Sequence, residues 1–332
     1  MTPDRTVGAW ALLLLMAGAA GIALGTAVGS QGWEVWWGAA QDPVMRQIVL
    51  DIRLPRSLGA WLGGALLGLA GAIAQGLFRN PLADPYLLGS ASGASLGVSL
   101  YLSLFGGSLL ATGWLVRLGM TGAAFAGSVL AVVLTLVLAR GVQQTLRLLL
   151  AGVVVGVVLG ALASLVALFE PQVLQAMQGF MLGSTSFVGW TSCGLMALAL
   201  GVCLAVAWAL ARVLDALTLG EATAQSLGMP LHQARLLLVA AFSLATAAAV
   251  AQMGLIAFVG LAAPHAVRSV LRCTHVGLLL LSGLMGGALL LLADVLARGL
   301  LAPQDLPMGV LTAVLGGVYL LWRMNTANGG RA

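Results

Sequence analysis

Apolar runs of about 18 residues or more recur from one end of this chain to the other, and a run of that length crosses a bilayer when helical. That repetition limits the fold more than any motif does. Charged residues make up 8% of the 332 positions and apolar types 61%, whereas a soluble domain carries about 25% charged residues. Mean hydropathy is +1.05. A water-soluble fold of this length needs far more polar side chains to cover its surface. The chain therefore reads as an all-α, polytopic membrane protein.

About ten spans can be placed, at roughly 7–29, 55–77, 86–106, 114–138, 146–169, 190–212, 234–253, 255–271, 276–297 and 307–323. Residues 7–29 are too long for a signal-peptide core and read as a retained first span. Two short amphipathic helices are expected outside the membrane core. One covers 33–52, with Trp33, Trp36 and Trp37 as interface anchors, and the other covers 170–185. No linker is long enough to divide the chain, so residues 1–332 read as one domain.

Arginine placement gives the orientation. The chain has 15 Arg and no Lys. With the N-terminus inside, Arg5, Arg79, Arg140, Arg147, Arg212, Arg235, Arg268, Arg272, Arg323 and Arg331 fall on the cytoplasmic side. Arg46, Arg53, Arg56, Arg117 and Arg298 fall outside. That bias predicts cytoplasmic N- and C-termini. The arginines sit one or two at a time at span ends, a topological pattern and not a nucleic-acid patch.

Small residues predict close helix packing. Gly89, Gly93 and Gly97 recur every fourth residue, as do Gly152, Gly156 and Gly160. Such stripes let backbones approach in lipid, within one subunit or along a subunit seam. A faint internal repeat aligns AGAIAQGLF (70–78) with AAAVAQMGL (247–255), placing Gln75 opposite Gln252. The two copies would run in opposite senses, as in inverted-repeat transporters. Cys193, Cys203 and Cys273 have neither metal nor disulfide spacing and read as small packing residues. His265, beside Pro264, invites a heme-ligand reading. Its place near the cytoplasmic end of a span argues against that, and His232 and His275 read as cytoplasmic loop residues.

Four polar stretches interrupt the apolar pattern. FRNPLADPYLLGSASGASLG (78–97) carries two prolines, Arg79, Asn80 and Asp84, and predicts a turn of fixed shape. DIRLPRSLGAWLGG (51–64) places Arg53 and Arg56 just outside a span, with Pro55 at a plausible helix start. Two guanidiniums so close suit carboxylate capture, or simple snorkelling to the interface. LADVLARGLL (292–301) offers Asp294 and Arg298 as an i,i+4 pair. DALTLGEATAQSLGMP (215–230) reads as two short polar helices on the cytoplasmic side.

Taken together, RLPR before a span, NPLADP-LLG-S-GA, GEA…A-SLG, FVGLAAPHAVR and LADVLAR resemble the permease family for vitamin B12, heme and ferric siderophores. These are the membrane subunits of type II ATP-binding-cassette importers. The motifs run in order from residue 53 to about 320. The resemblance implies an inverted-repeat permease that forms a homodimer in the bacterial inner membrane. It implies that the loop at about 215–232 forms two coupling helices that dock on two copies of a separate ATPase subunit. Leu219, Gly220, Glu221, Ala222, Thr223, Ser226, Leu227 and Gly228 are the expected contact positions. It implies that Arg53 and Arg56, with Arg298, receive acidic residues of a periplasmic substrate-binding protein. It also implies that the span at 146–169 lines the path.

The residues themselves agree on one point. A phosphate-binding P-loop needs a lysine, and this chain has none, so if transport is driven by ATP the ATPase is a separate polypeptide. No resident cofactor, metal site, catalytic constellation or nucleic-acid partner is expected. A secondary transporter needs an ion-coupling group, and Asp294 with Arg298 already beside it is a poor one. A passive channel has no use for a docking loop. The single permease half and the look of the motifs lean toward heme as cargo, with a corrinoid or ferric siderophore as alternatives.

Overall fold

The computed structural model describes residues 3–29, 32–33, 42–105, 114–139 and 145–328. Trp36 and Trp37 lie outside them. The described chain is helical apart from loops and one two-residue strand pair. Seven helices are long and apolar enough to cross a membrane. Helix α1 spans Pro3–Ala27. Strands β1 (Val28–Gly29) and β2 (Gly32–Trp33) pair antiparallel just after it. Trp33 thus begins in a strand where an amphipathic helix was expected.

That expected helix instead starts at Pro43 and joins the next span. Helix α2 (Pro43–Ile48), a wide turn at Val49–Arg53 and helix α3 (Leu54–Phe78) form one continuous rod. Asp42 caps its start, accepting the Val44 amide at 2.9 Å. Pro55 therefore stands inside a helix and not at its beginning. A helical proline has no N–H for the carbonyl four residues back and its ring clashes with that carbonyl. The wide turn, in which the Leu54 amide reaches back to Val49, relieves this crowding one residue before the proline.

Helix α3 is the axis of the fold. Of its apolar window 89% is buried, against 17% for α1 and 22% for helix α6 (Thr145–Phe169). Lipid tails are as apolar as leucine, so burial alone does not pull helices together in a bilayer, and close backbone approach must. The glycines of α3 supply it. A Cβ on Gly64 would lie 2.3 Å from the Gly286 carbonyl oxygen, and one on Gly68 would lie 2.2 Å from that of Ser282. Both partners belong to helix α13 (His275–Gly299). Leu66, Leu67, Leu69 and Ile73 fill the remaining gaps and are fully buried.

The other glycine stripes also close within the subunit. Helix α4 (Ser90–Phe105) meets helix α5 (Trp114–Leu138) at Gly93 and Gly127, where each added Cβ would lie within 2.2 Å of the other's carbonyl oxygen. Gly152 of α6 abuts the Leu87 carbonyl in the same way. The second amphipathic helix, α7, spans Pro171–Leu182. Helices α8 (Trp190–Ala209) and α11 (Leu231–Met253) pack together and on α3. Helix α14 spans Met308–Asn328.

The expected span at 255–271 is not a full crossing helix. Gly254 at φ 72° ends α11, and Phe258 at φ 68° caps helix α12, which covers only Val259–Val270. Twelve residues rise about 18 Å, short of the ~30 Å hydrocarbon core. The unwound backbone between α11 and α12 is paired inside the protein, as non-helical chain at membrane depth requires. Leu255 N–H donates to Phe180 at 3.0 Å, Ser184 N–H to Met253 at 2.8 Å, and Met308 N–H to Gly183 at 3.2 Å. Tyr86 adds its hydroxyl, donating to the Ile256 carbonyl at 3.0 Å.

Candidate functional site

Two clusters of charge lie at opposite ends of the α3–α13 pair. At the end where α3 finishes, the chain leaves α8 and folds into helices α9 (Ala211–Thr218) and α10 (Glu221–Ser226). α9 is strongly two-faced. Val213, Leu214, Ala216 and Leu217 are buried against the ends of α3 and α13, while Arg212 and Thr218 face outward. Leu214 and Leu217 are fully buried, and each such side chain contributes about 1.5–3 kcal/mol where its alternative is water.

Helix α10 hangs from this anchor. Gly220 stands at φ 108°, ψ 154°, a region open only to glycine, and it turns the chain sharply between the two helices. Ala224 is the one buried residue of α10. Behind it Gly228, at φ 73°, closes the helix: its amide donates to Gln225 at 2.9 Å and that of Met229 to Ala224 at 3.3 Å. This pair of bonds is the Schellman closure that a left-handed glycine permits. Ala222, Thr223, Ser226 and Leu227 are left exposed, and Leu219 and Leu227 are 67% and 58% accessible. Two bare leucines thus flank an exposed polar helix.

Glu221 behaves differently from its neighbours. Its carboxylate lies 2.6 Å from Nη2 of Arg235 and 3.6 Å from Nη2 of Arg79. Arg235 is on α11, and Arg79 caps the end of α3 in a left-handed conformation. Glu221 thus fastens α10 to two membrane helices, and its charge is engaged within the chain. A second tie comes from Asp215, whose Oδ1 accepts the His275 amide at 3.0 Å and sits 2.7 Å from His275 Nδ1. His275 is accordingly a buried residue in the first turn of α13, not a loop residue.

The turn at 79–89 beside this knuckle has a fixed shape. Asn80 Oδ1 accepts the Leu82 amide at 2.9 Å, and Asp84 Oδ1 accepts the Tyr86 amide at 2.8 Å. Burial pushes the Asp84 carboxyl above its ordinary value, opposed by that same amide bond.

At the other end two of the three arginines singled out in the sequence, Arg56 and Arg298, converge on an acid of this chain. Asp294 is fully buried. Its carboxylate pairs with Arg298, accepts the Thr185 hydroxyl, and lies 3.4 Å from Nε of Arg56. Arg298 is 4% exposed. Its guanidinium donates to the Gly25 carbonyl at 2.8 Å, to that of Val28 at 3.4 Å, and to the Ser57 hydroxyl at 3.1 Å. A side chain so enclosed does not face a partner directly. Its work is to hold Asp294 and the end of α1. Arg53 is also nearly buried and reaches the Thr26 carbonyl at 3.3 Å. Arg56 keeps an outward edge, where it meets the exposed Asp305 at 2.9 Å. Asp305 and Thr185 carried no signal in the sequence beyond being polar.

Helix α6 leaves Leu150, Val153, Val154, Val157 and Val158 exposed along its length. His265 contacts the Tyr319 ring edge-on, with centroids 5.8 Å apart. Cys193 and Cys203 are buried in α8, their thiols directed at the Pro55 and Ala241 carbonyls. No group of three or more His, Cys, Asp or Glu suited to a metal occurs among the described residues.

Comparison with known proteins is consistent with this arrangement. The profile of the FecCD transport family matches residues 11–325. An uncharacterized ABC transporter permease protein, YvrB, of Bacillus subtilis (strain 168) is 36% identical over 90% of this chain and 86% of its own length. The hemin transport system permease protein HmuU of Yersinia pestis is 38% identical over 88% of this chain and 87% of its own. The vitamin B12 import system permease protein BtuC of Escherichia coli O157:H7 (strain EC4115 / EHEC) is 40% identical over 82% of each chain. Among solved structures, an inward-facing conformation of a metal-chelate type ABC transporter superposes with a TM-score of 0.83. It is 26% identical and covers 96% of this chain and 99% of its own.

Proposed function

The chain belongs to the FecCD transport family, as the permease subunit of an ABC importer, and we propose that the cargo it passes inward is heme. In this reading residues 1–332 are one permease domain that pairs with a second copy of itself in the bacterial inner membrane, both termini cytoplasmic. Two copies of a separate ATPase grip the α9–α10 knuckle. A periplasmic binding protein delivers the cargo at the end carrying Arg53 and Arg56.

The observation that supports the coupling of this permease to an ATPase is the knuckle itself. A polar helix with two exposed leucines, held out on glycine turns and fastened behind to three membrane helices, suits a coupling element. A loop that merely connected two spans would need none of those ties. The absence of lysine, and so of a P-loop, supports hydrolysis by a separate chain. Leu219, Gly220, Ala222, Thr223, Ser226, Leu227 and Gly228 form or shape the contact surface, and Glu221 sets its position. At the far end Arg56, with its outward edge, is the direct docking residue. Arg53 and Arg298 support it from within.

Heme is favoured by the likeness to the hemin permease. A corrinoid is the second reading, favoured by the likeness to the vitamin B12 permease. Both cargoes are large metal macrocycles, and a path along the apolar face of α6 offers little to bind either. The binding protein would therefore choose between them. The test is uptake into vesicles holding this chain with its ATPase, given binding protein loaded with heme or with cobalamin. ATP-dependent heme uptake is expected. Uptake of cobalamin alone would transfer the assignment, and uptake of neither, with ATPase activity unresponsive to the binding protein, would refute the importer.

A further inference from the structure

A cavity of about 520 Å³ opens beside the knuckle, between the end of α3, helix α9, the end of α12 and the start of α13. Its volume lies in the range of small-ligand sites, roughly 300–1,000 Å³. Arg79, Arg268, Arg272 and His275 line it, and no acidic residue lines it among the described residues. Two of these four have a carboxylate partner outside the lining: Arg79 pairs with Glu221, which Arg235 also holds, and His275 with Asp215. Arg268 donates to the amide oxygen of Gln75, a neutral group. Among the described residues neither Arg268 nor Arg272 has a carboxylate partner. The cavity thus holds uncompensated positive charge in guanidinium form, the geometry that clasps phosphate oxygens two at a time.

Its walls are not wholly polar. Leu271 and Leu278 also line it, and the apolar run of α13 begins at Val276. Charge and hydrocarbon therefore meet within one cleft, where helices enter the membrane. We propose that this cleft binds the headgroup phosphate of an anionic phospholipid, with Arg268 and Arg272 as its principal ligands and Arg79 at the rim. Basic pockets between membrane helices recognise such headgroups through this combination. The site is independent of the cargo, and it would set the level of α12 and α13 beside the coupling helices.

Phosphate chemistry alone also admits a soluble anion, so the test uses two probes. The full chain, purified in neutral detergent, is titrated with phosphatidylglycerol or phosphatidylcholine, and bound lipid is counted by native mass spectrometry. Thermal unfolding is followed in parallel with pyrophosphate. Arg272 is exposed, so Arg272→Gln should fold. Arg147→Gln, at an exposed arginine of α6 outside the cleft, reports general surface charge. The expected result is a preference for phosphatidylglycerol that falls about fivefold in Arg272→Gln and is unchanged in Arg147→Gln. Equal retention of the two lipids, or equal loss in both variants, overturns the lipid site. Stabilisation by pyrophosphate alone, lost in Arg272→Gln, overturns the lipid as source and leaves a soluble phosphate in its place.

Discussion

Replacing Asp294 by Asn tests the buried charge cluster most directly. The amide keeps the shape of the carboxylate and removes its charge. Arg298, only 4% exposed, then keeps the Gly25 and Val28 carbonyls and the Ser57 hydroxyl as partners, all neutral. Removing one member of a buried pair costs about 3–5 kcal/mol, because the other charge stays buried without compensation. Three carbonyl acceptors remain, those of Gly25, Val28 and residue 294 itself, so the low end applies. A loss of about 3 kcal/mol is a change of roughly 150-fold in the folding equilibrium. Unfolding in mixed detergent micelles, followed by tryptophan fluorescence, measures it. The double variant Asp294→Leu, Arg298→Leu removes both charges and should recover most of the loss. A single variant within about 1 kcal/mol of wild type, or a double variant as unstable as the single, would refute the account.

Glu221→Arg places a third cation beside Arg79 and Arg235 and should lower transported cargo per ATP hydrolysed, whereas Glu221→Gln keeps the shape of the side chain, can still accept from Arg235, and should lower it far less. Equal ratios in the two variants would show that the knuckle's position does not matter. Gly220→Ala forces a side chain into φ 108°, a strain of about 1–3 kcal/mol, and should speed protease cleavage in the 218–230 segment of membrane vesicles. Arg53→Glu with Arg56→Glu should weaken binding-protein docking, and raised salt should shrink the difference from wild type; docking at unchanged strength would leave Arg56 to the Asp305 contact alone. Gly68→Ala brings a methyl to 2.2 Å from the Ser282 carbonyl oxygen and should lower the unfolding midpoint more than Gly194→Ala, where the added carbon meets nothing within 4 Å.

Much of this fold can be read from hydropathy because each helix must satisfy its own backbone in lipid. The long runs of α1, α5, α6, α8, α11 and α13 were plain for that reason. Hydropathy does not distinguish a crossing helix from a half-length one. The 255–271 run looks like a span, although Gly254 breaks the chain ahead of its shorter helix and Pro264 lies inside that helix. Pro55 looked like a helix start because the turn that tolerates it, Val49–Arg53, has no marker of its own. At the sites, residues were easier to find than partners. Glu221 and Arg298 stood out as charges in an apolar chain. That Glu221 meets Arg79, and Arg56 meets Asp294, depends on helices 142 and 238 positions apart in sequence. The i,i+4 link of Asp294 to Arg298 was visible because helix geometry alone supplies it.

The seam between α3 and α13 limits how its two ends can communicate. Gly64, Gly68 and Gly286 press main chain on main chain, with no intervening layer of side chains to shear. One rod therefore has little freedom to slip lengthwise past the other. A rigid motion that linked Asp294 to Asp215 and His275 would therefore be a pivot of the whole pair, like a beam on a fulcrum. Over the ~37 Å length of α3, a rotation of roughly 10° about the middle swings each tip by about 3 Å, comparable to the length of a hydrogen bond.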